Sequence, residues 1–549
     1  MSSEIRIIYF CLFVLVLTPL LLINTGLDLF DEGYYLQGYV REQPIYFQLS
    51  GFHFLVRLLP LSDHILFARA YRVVLLIVAG LIFSRALHKK IFPDLSFSLV
   101  AGYVLLGNFL TYVHLSATIS YNSLSVIFLE LLLTSYLFFR DAEPGFSRQF
   151  VVPFITFGIL LGFQAFNKPT SAALLALLFA VDQTVYRFRQ WKNLLIILSS
   201  TAALSALVLF ALAAHSFGSN LISAVRLMSQ PDNPFSEGHL SAGFMIGQLL
   251  INTVLQSKMF LLFTFIYLVV YLAAKRFGYI NHWITSVLFT GITLGVFFKY
   301  RSVYFGQPGA EYLFAFFLFV LFAWVIYWSK VDRRKNPQAD FHLIATLFVL
   351  PFAGFWGSNN PPMLGIIHYM VFPLLLVVYL NRWLQLHFVK LLPLLLTAFT
   401  LYNFIWAPFY NPPVFDQKNK VQVRGVQLKV SDYVYNRALA FDSVQQSVDR
   451  DVALIPVAVP NGLLYVNRLI SFKTLHFNSP EFTEGYLKLL RLQQLPDQLQ
   501  LLLYKKHESE QINKAWLTFK NFLGQKGYEF FVLKETDEYV LLKVSSRGI

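Results

Sequence analysis

The sequence predicts a polytopic α-helical membrane protein of about thirteen spans, followed by a C-terminal extracytoplasmic α/β domain. Three observations carry this. Long apolar runs recur from the N-terminus to about residue 406. Basic residues fall in alternate connections between those runs. The texture of the chain then changes to that of an ordinary soluble domain. Of the 549 residues 56% are apolar and 13% charged, and the mean hydropathy is +0.56. A soluble domain is about half apolar and about a quarter charged. A net charge of +14 would suggest nucleic acid in a soluble protein. Here it is accounted for by lysines and arginines in short cytoplasmic loops and near lipid headgroups, so membrane lipids are partners and nucleic acid is not.

The apolar runs lie near 6–24, 65–86, 97–115, 123–139, 150–166, 170–186, 194–214, 255–274, 283–298, 311–328, 341–357, 364–380 and 388–406. The first follows a short start, Met1–Arg6, that resembles the n-region of a signal peptide. It is too long for a typical signal core and no small-residue cleavage site follows, so a retained span is expected. Cys11, the single cysteine, lies in this run. An intrachain disulfide and a cysteine-based metal site are therefore excluded. Five basic connections (Arg85, Lys89 and Lys90; Arg140 and Arg148; Arg187, Arg189 and Lys192; Lys275 and Arg276; Lys330, Arg333, Arg334 and Lys335) share one side if the spans alternate. That side is the cytoplasm. The N-terminus is expected inside, in the cell's inner (plasma) membrane, and the C-terminal domain in the periplasm or outside the cell.

Two domains follow: residues 1–406, the membrane domain with its first outer loop at 25–64, and residues 407–549. In the outer loop, Ile45–Leu59 is too polar to span and reads as a helix lying in the interface, with Tyr46, Leu49, His53 and Val56 on one face. A second outer loop, about 215–254, holds the turn-rich Gln230–His239 stretch. In the C-terminal domain Val452–Val459 reads as a buried strand. Tyr486–Leu495 and Glu508–Gln525 read as helices, and Glu529–Lys534 with Glu538–Val544 as a hairpin.

The residues able to carry chemistry centre on Asp28-Leu29-Phe30-Asp31-Glu32-Gly33-Tyr34-Tyr35, three carboxylates within five positions just outside the first span. One carboxylate can take a proton from an acceptor hydroxyl or amine while another orients it. The plainer alternative makes Asp31 the cap of a helix Gly33–Val40, with Glu32 at its favourable dipole end. Lys168, in Asn167-Lys168-Pro169, stands on the outer face against the charge bias and suits a lipid phosphate; the alternative is snorkelling. Arg69 and Arg72 in the first turns of the second span, and Lys299 and Arg301 on a later outer loop, are further phosphate candidates. Tyr34, Tyr35, His53, Asn122 and Asn359 can bind hydroxyls of a sugar or acceptor; Asn122 by itself reads more readily as a helix cap. The scattered histidines His53, His64, His114, His239 and His368 show no metal-ligand spacing. There is no phosphate-cradling Gly-rich motif that would point to ATP.

These motifs resemble those of the GT-C glycosyltransferases, in particular the bacterial branch similar to protein O-mannosyltransferases and the aminoarabinose transferase of lipid A. The acidic-pair-and-tyrosine motif stands as Asp31-Glu32-Gly33-Tyr34-Tyr35. The arginine that opens the second span stands in Phe67-Ala68-Arg69-Ala70, and the lysine turn after the fifth span as Lys168-Pro169. Two positions depart from that pattern. Asn122 stands where relatives carry an acid, which argues against a metal held there, and Gln43-Pro44 stands where they carry Lys-Pro-Pro. The resemblance covers roughly residues 1–400. It implies inverting transfer of a sugar from a polyprenyl-phosphate donor to a lipid, glycan or protein acceptor on the outer face. Asp31 would be the general base and Glu32 its orienting partner, with Lys168 and Arg69, Arg301 or Lys299 on the leaving phosphate. It implies no nucleotide cofactor, no definite metal site, and leaves dependence on a divalent metal open. The competing class, a lipid or glycan transporter or flippase, calls for charge deep within spans and paired repeats; the sequence shows little of the first and none of the second.

Overall fold

The computed structural model describes residues 3–43, 51–140, 147–187, 190–216, 265–279, 283–300, 323, 338–355, 368–384, 387–457, 459–472, 495–505 and 510–546. In chain order its helices are α1 (Ser3–Leu21), α2 (Asp31–Tyr39), α3 (Phe52–Arg57), α4 (Ile65–Lys90), α5 (Phe97–Leu110), α6 (Tyr121–Phe139), α7 (Arg148–Asn167), α8 (Pro169–Arg187), α9 (Trp191–Ser216), α10 (Trp283–Tyr300), α11 (Gln338–Phe355), α12 (Val371–Leu384), α13 (Phe388–Trp406), α14 (Asp432–Gln445), α15 (Asn461–Val466) and α16 (Glu510–Gln525). Among the described residues seven helices are long and apolar enough to cross a membrane, and four apolar helices are shorter. They coincide with expected spans. The span at 311–328 falls outside the described residues apart from Ala323, and that at 255–274 is described only from residue 265.

The chain forms two compact units. The first comprises Met1–Leu21, Ala70–Leu212 and Ile246–Tyr410. In it α6 packs on α7, α7 on α8, α1 on α5 and α13, and α12 on α5 and α11. Small residues set the closest approaches, as expected where lipid offers no hydrophobic drive for helices to associate. Gly158 and Gly162 lie one turn apart on α7. A Cβ on Gly162 would lie 2.8 Å from the Val208 side chain and 2.9 Å from the Ser205 carbonyl oxygen of α9. Ser205 Oγ in turn donates to the Gly158 carbonyl at 2.9 Å. At the start of α6 the cap is Ser120. Its hydroxyl accepts from Ser123 N at 3.2 Å while Ser123 Oγ accepts from Ser120 N at 2.7 Å, a reciprocal capping box. Asn122 is therefore not the cap.

The second unit comprises Leu22–Arg69, Ala213–Met245 and Asn411–Ile549. Residues 22–69, which hold the first outer loop, and the segment from Asn411 fall in this one unit. Strands β1 (Asn419–Val423) and β2 (Val426–Val430) form an antiparallel hairpin. Arg424 and Gly425 turn it, both at positive φ, the geometry that matches the strands' twist. Strands β3 (Ala453–Val457), β4 (Gln498–Tyr504), β5 (Tyr528–Glu535) and β6 (Tyr539–Ser546) form a sheet in the order β3-β4-β6-β5. The β3–β4 pair is parallel and the others antiparallel. Ile455, Leu499, Leu501 and Val544 of the sheet bury against Phe519 and Leu523 of α16. The expected strand, the Glu508–Gln525 helix and the hairpin are all found. The expected Tyr486–Leu495 helix and the Gln230–His239 loop lie outside the described residues, save Leu495.

Gly162→Val is expected to force α7 from α9 and cost about 1–3 kcal/mol. Gly291→Ala in α10, where an added Cβ meets nothing within 4 Å, should leave stability unchanged or gain up to about 1 kcal/mol. Thermal unfolding of the detergent-solubilised protein, with the two variants compared, measures the difference.

Candidate active site

The acidic motif is the N-terminal turn of α2. The cap is not Asp31. Asp28 accepts from Phe30 N with Oδ1 at 2.9 Å, and with Oδ2 from Asp31 N at 3.0 Å and Glu32 N at 3.3 Å. Its backbone carbonyl accepts from Gly33 N at 2.9 Å. One carboxylate thus satisfies the donors that begin a helix. The helix accordingly starts at Asp31, two residues before the expected Gly33.

Glu32 is fully buried and faces Arg69, itself 2% exposed. The guanidinium meets the carboxylate as a fork, Nε to Oε1 at 2.9 Å and Nη2 to Oε2 at 2.8 Å. Its remaining N–H groups donate to the carbonyls of Ile23, Thr25 and Gly26 at 2.7, 3.3 and 2.6 Å. Two-point contact with further hydrogen bonds is what lets an ion pair survive burial. Arg69 is thereby committed to Glu32 and to the chain leaving α1, and Glu32 is committed to Arg69.

The other end of α2 is held by Arg57 of α3. Its Nε donates to the Gly38 carbonyl and its Nη2 to the Gln43 carbonyl, both at 2.8 Å. Burial pulls the Arg57 guanidinium down to about 10. Aromatic rings fill the space between α2 and α3. His53 is buried, 5.0 Å from the Tyr34 ring and 6.1 Å from that of Tyr39, and Tyr35 packs edge-on against Phe52 at 5.4 Å. A Cβ on Gly38 would overlap the His53 ring. His53 and Tyr35, expected to touch sugar or acceptor, are therefore packing groups here, while Tyr34 is half-buried. Of the expected interfacial helix, the described part is the short α3, with Phe52, His53 and Val56 buried; Tyr46 and Leu49 lie outside the described residues.

Asp31 is what remains. Its side chain is exposed, and among the described residues its carboxylate has no hydrogen-bond or ion-pair partner. Burial of its surroundings still pushes its pKa above the usual carboxylate range. Burial, then the charge of Asp31, raises Asp28 to about 7. A reachable carboxyl with raised basicity is what general-base chemistry requires.

The first unit holds its own polar group of residues. Lys168, the single residue between α7 and α8, is 5% exposed. Its Nζ donates to Asn122 Oδ1 at 3.2 Å and lies 5.5 Å from the centre of the Tyr121 ring. Burial pulls it down to about 7. Arg72 donates to the Ser116 carbonyl, and to that of Tyr112 at 2.9 Å; its guanidinium lies 3.8 Å over the Tyr112 ring. His368 lies within electrostatic reach of Lys168, His114 and Arg72. Sequence reasoning placed Lys168 and Asn122 in separate roles and gave His114 and His368 none. It also passed over Glu130, which lies fully buried inside α6 beside Asn108 of α5. Lys299 stands in the last turn of α10 and not on a loop. Arg301 and Asn359 lie outside the described residues. No three His, Cys, Asp or Glu side chains gather as a metal would require among the described residues.

Two solved structures of ArnT are similar to this chain. The crystal structure of ArnT from Cupriavidus metallidurans bound to undecaprenyl phosphate shares 11% identity over 99% of this chain and 98% of its own, with a TM-score of 0.37. The apo state of the same protein shares 13% identity over 96% and 97%, with a TM-score of 0.38. No family model matches the sequence. No curated protein matches it.

Truncating Glu32 alone to Ala is expected to cost about 3–5 kcal/mol, because Arg69 is left buried and uncompensated. Replacing both residues by apolar ones of similar size should cost much less than the two single changes added together. A double-mutant cycle on denaturant unfolding reads the coupling; strict additivity would contradict it.

Proposed function

We propose that this protein is an integral-membrane glycosyltransferase. It transfers a sugar, hexose or pentose, from a polyprenyl-phosphate donor to a lipid, glycan or protein acceptor on the extracytoplasmic face, with inversion. The single observation that supports it most is the division of labour in the acidic motif: Asp28 caps, Glu32 pairs with Arg69, and Asp31 alone is left reachable. In this reading Asp31 takes the proton of the acceptor hydroxyl or amine as that atom attacks the anomeric carbon. The bond from that carbon to the phosphate oxygen breaks, and the lipid phosphate leaves with the electron pair. The proton ends on Asp31 and passes to solvent. Activation energy is already stored in the donor, so no nucleotide takes part.

Lys168 is the cation assigned to the leaving phosphate. Arg72, which like Lys168 acts electrostatically on His368, is a second cation of the same unit. Such electrostatic stabilisation of a leaving group acts most strongly where water is scarce. Arg69 and Glu32 become scaffold in this scheme, and Asn122 orients Lys168. Lys299, Arg301 and Asn359 keep the donor and acceptor roles read from their positions in the chain. Acceptor contact falls to Tyr34, the half-buried member of the aromatic group.

Asp31→Asn is expected to abolish transfer while the protein still inserts and unfolds at the wild-type temperature. Near-normal turnover would remove Asp31 from the base role. Mass spectrometry of lipid that co-purifies with the wild type names the donor. A general base must be ionised, and the pKa of Asp31 is raised, so the rate should rise with pH through a range above that of an ordinary carboxylate. A rate that stays flat across that range would count against Asp31 as the base.

A further inference from the structure

The C-terminal segment has no part in the scheme above, yet it belongs to the same compact unit as α2. Among the described residues the two are joined at several points between Asn24 and Asp63. Lys429 of β2 exchanges backbone hydrogen bonds with residues of that loop, donating to the Asn24 carbonyl at 2.9 Å and accepting from Gly26 N at 2.8 Å. Asn411 Oδ1 accepts from Leu27 N at 3.1 Å. Gln37 Nε2 donates to the Leu469 carbonyl at 2.7 Å. Gln43, buried, donates to Ser471 Oγ and the Ser471 carbonyl at 3.0 and 2.9 Å and accepts from Ser471 N at 2.9 Å. Tyr465 donates its hydroxyl to the Asp63 carbonyl at 2.6 Å.

The tightest contact falls on the acidic motif. Gly462, in the first turn of α15, donates its N–H to the Leu29 carbonyl at 2.8 Å. A Cβ added to it would lie 2.7 Å from Leu29 Cα and 2.9 Å from that carbonyl. A Cβ on Gly33 would overlap the backbone nitrogen and Cα of Gly462. Backbone meets backbone, two residues to either side of Asp31, with no side chain between. Both glycines have negative φ, so the close approach and not backbone freedom demands them.

We infer that the segment after residue 410 is a holder for the catalytic helix, and that Gly462 is a positioning residue that sets where the Asp31 carboxylate stands. A site must hold its groups to about 0.5 Å to work. The two atoms nearest an added methyl at Gly462 are backbone atoms of Leu29, with Leu29 Cδ2 third at 3.0 Å, so the turn that carries Asp31 must move. The catalytic part of this inference rests on the reading of Asp31 as the base; the mechanical part does not.

The test uses the full-length protein as Gly462→Ala, Gly462→Val and the control Gly524→Ala, whose added Cβ meets nothing within 4 Å. Amide hydrogen–deuterium exchange over residues 29–39 is followed together with exchange in β4 and β6. With the donor that mass spectrometry identifies, kcat and KM are measured. We expect exchange at 29–39 to rise about tenfold or more in Gly462→Val while β4 and β6 keep wild-type protection. kcat should fall at least about tenfold with donor KM within about twofold, and Gly524→Ala should match wild type in both. Wild-type exchange and kcat in Gly462→Val overturn the inference. If the wild type transfers no sugar the base assignment fails, and exchange alone then decides the holder. If Gly462→Val does not fold, Gln43→Ala and Ser471→Ala open the same joint without adding volume. Unchanged exchange at 29–39 in both overturns the inference as well.

Discussion

The buried pair between Glu32 and Arg69 is the contact on which the acidic helix depends. A carboxylate and a guanidinium removed from water each carry a desolvation cost of several kcal/mol. Here that cost is offset by two-point contact and by three backbone carbonyls that take up the rest of the guanidinium. Those carbonyls belong to residues 23–26, the chain just past α1. One ion pair therefore ties the exit of the first helix, the first turn of α2 and the first turn of α4 to each other. With the charges balanced there, Asp31 is left as the exposed acid of the motif.

The three acids illustrate how environment and not residue type assigns roles. Asp28 spends both oxygens on backbone N–H groups, Glu32 spends both on Arg69, and Asp31 spends none among the described residues. The lysine of the first unit follows the same logic in reverse. Lys168 faces an amide, Asn122, where a carboxylate would have neutralised it. Burial leaves this amine easily discharged, and a point charge on a flexible stem suits a phosphate.

Much of the fold was legible because it rests on local pattern. The apolar runs are long, and helices follow them within a few residues. The strand Ala453–Val457 and the final hairpin show the apolar and alternating patterns expected of strands. The β1–β2 hairpin was as legible, with alternation on both sides of Arg424-Gly425, and was passed over because its apolar positions are few. Strand β4 was harder, since Leu499, Leu501, Leu502 and Leu503 read as well for helix as for strand. The acidic motif could be singled out from composition. The roles within it could not, because they depend on Arg69, 37 positions away. Lys168 and Asn122 meet across 46 positions, and Gln43 and Ser471 across 428. Such pairings come from topology, which no periodicity encodes. Gln43, visible only as a departure from a family pattern, has its explanation in Ser471.

The long separation has a consequence for how the unit forms. Residues 22–69 leave the ribosome early, and α2 is then nine residues long with both glycine contacts unmade. A helix that short is marginal in water. Asp28 can cap it locally, and Arg69 can reach Glu32 once α4 exists. The backbone contact at Gly462 and the bonds from Gln37 and Gln43 must wait for the last quarter of the chain. Closing so long a loop costs little more in entropy than closing a loop half its length, because the cost grows only with the logarithm of the separation. What it costs is time, as non-local contacts form late. The contacts around the helix that carries Asp31 are thus complete only once the C-terminal segment has folded.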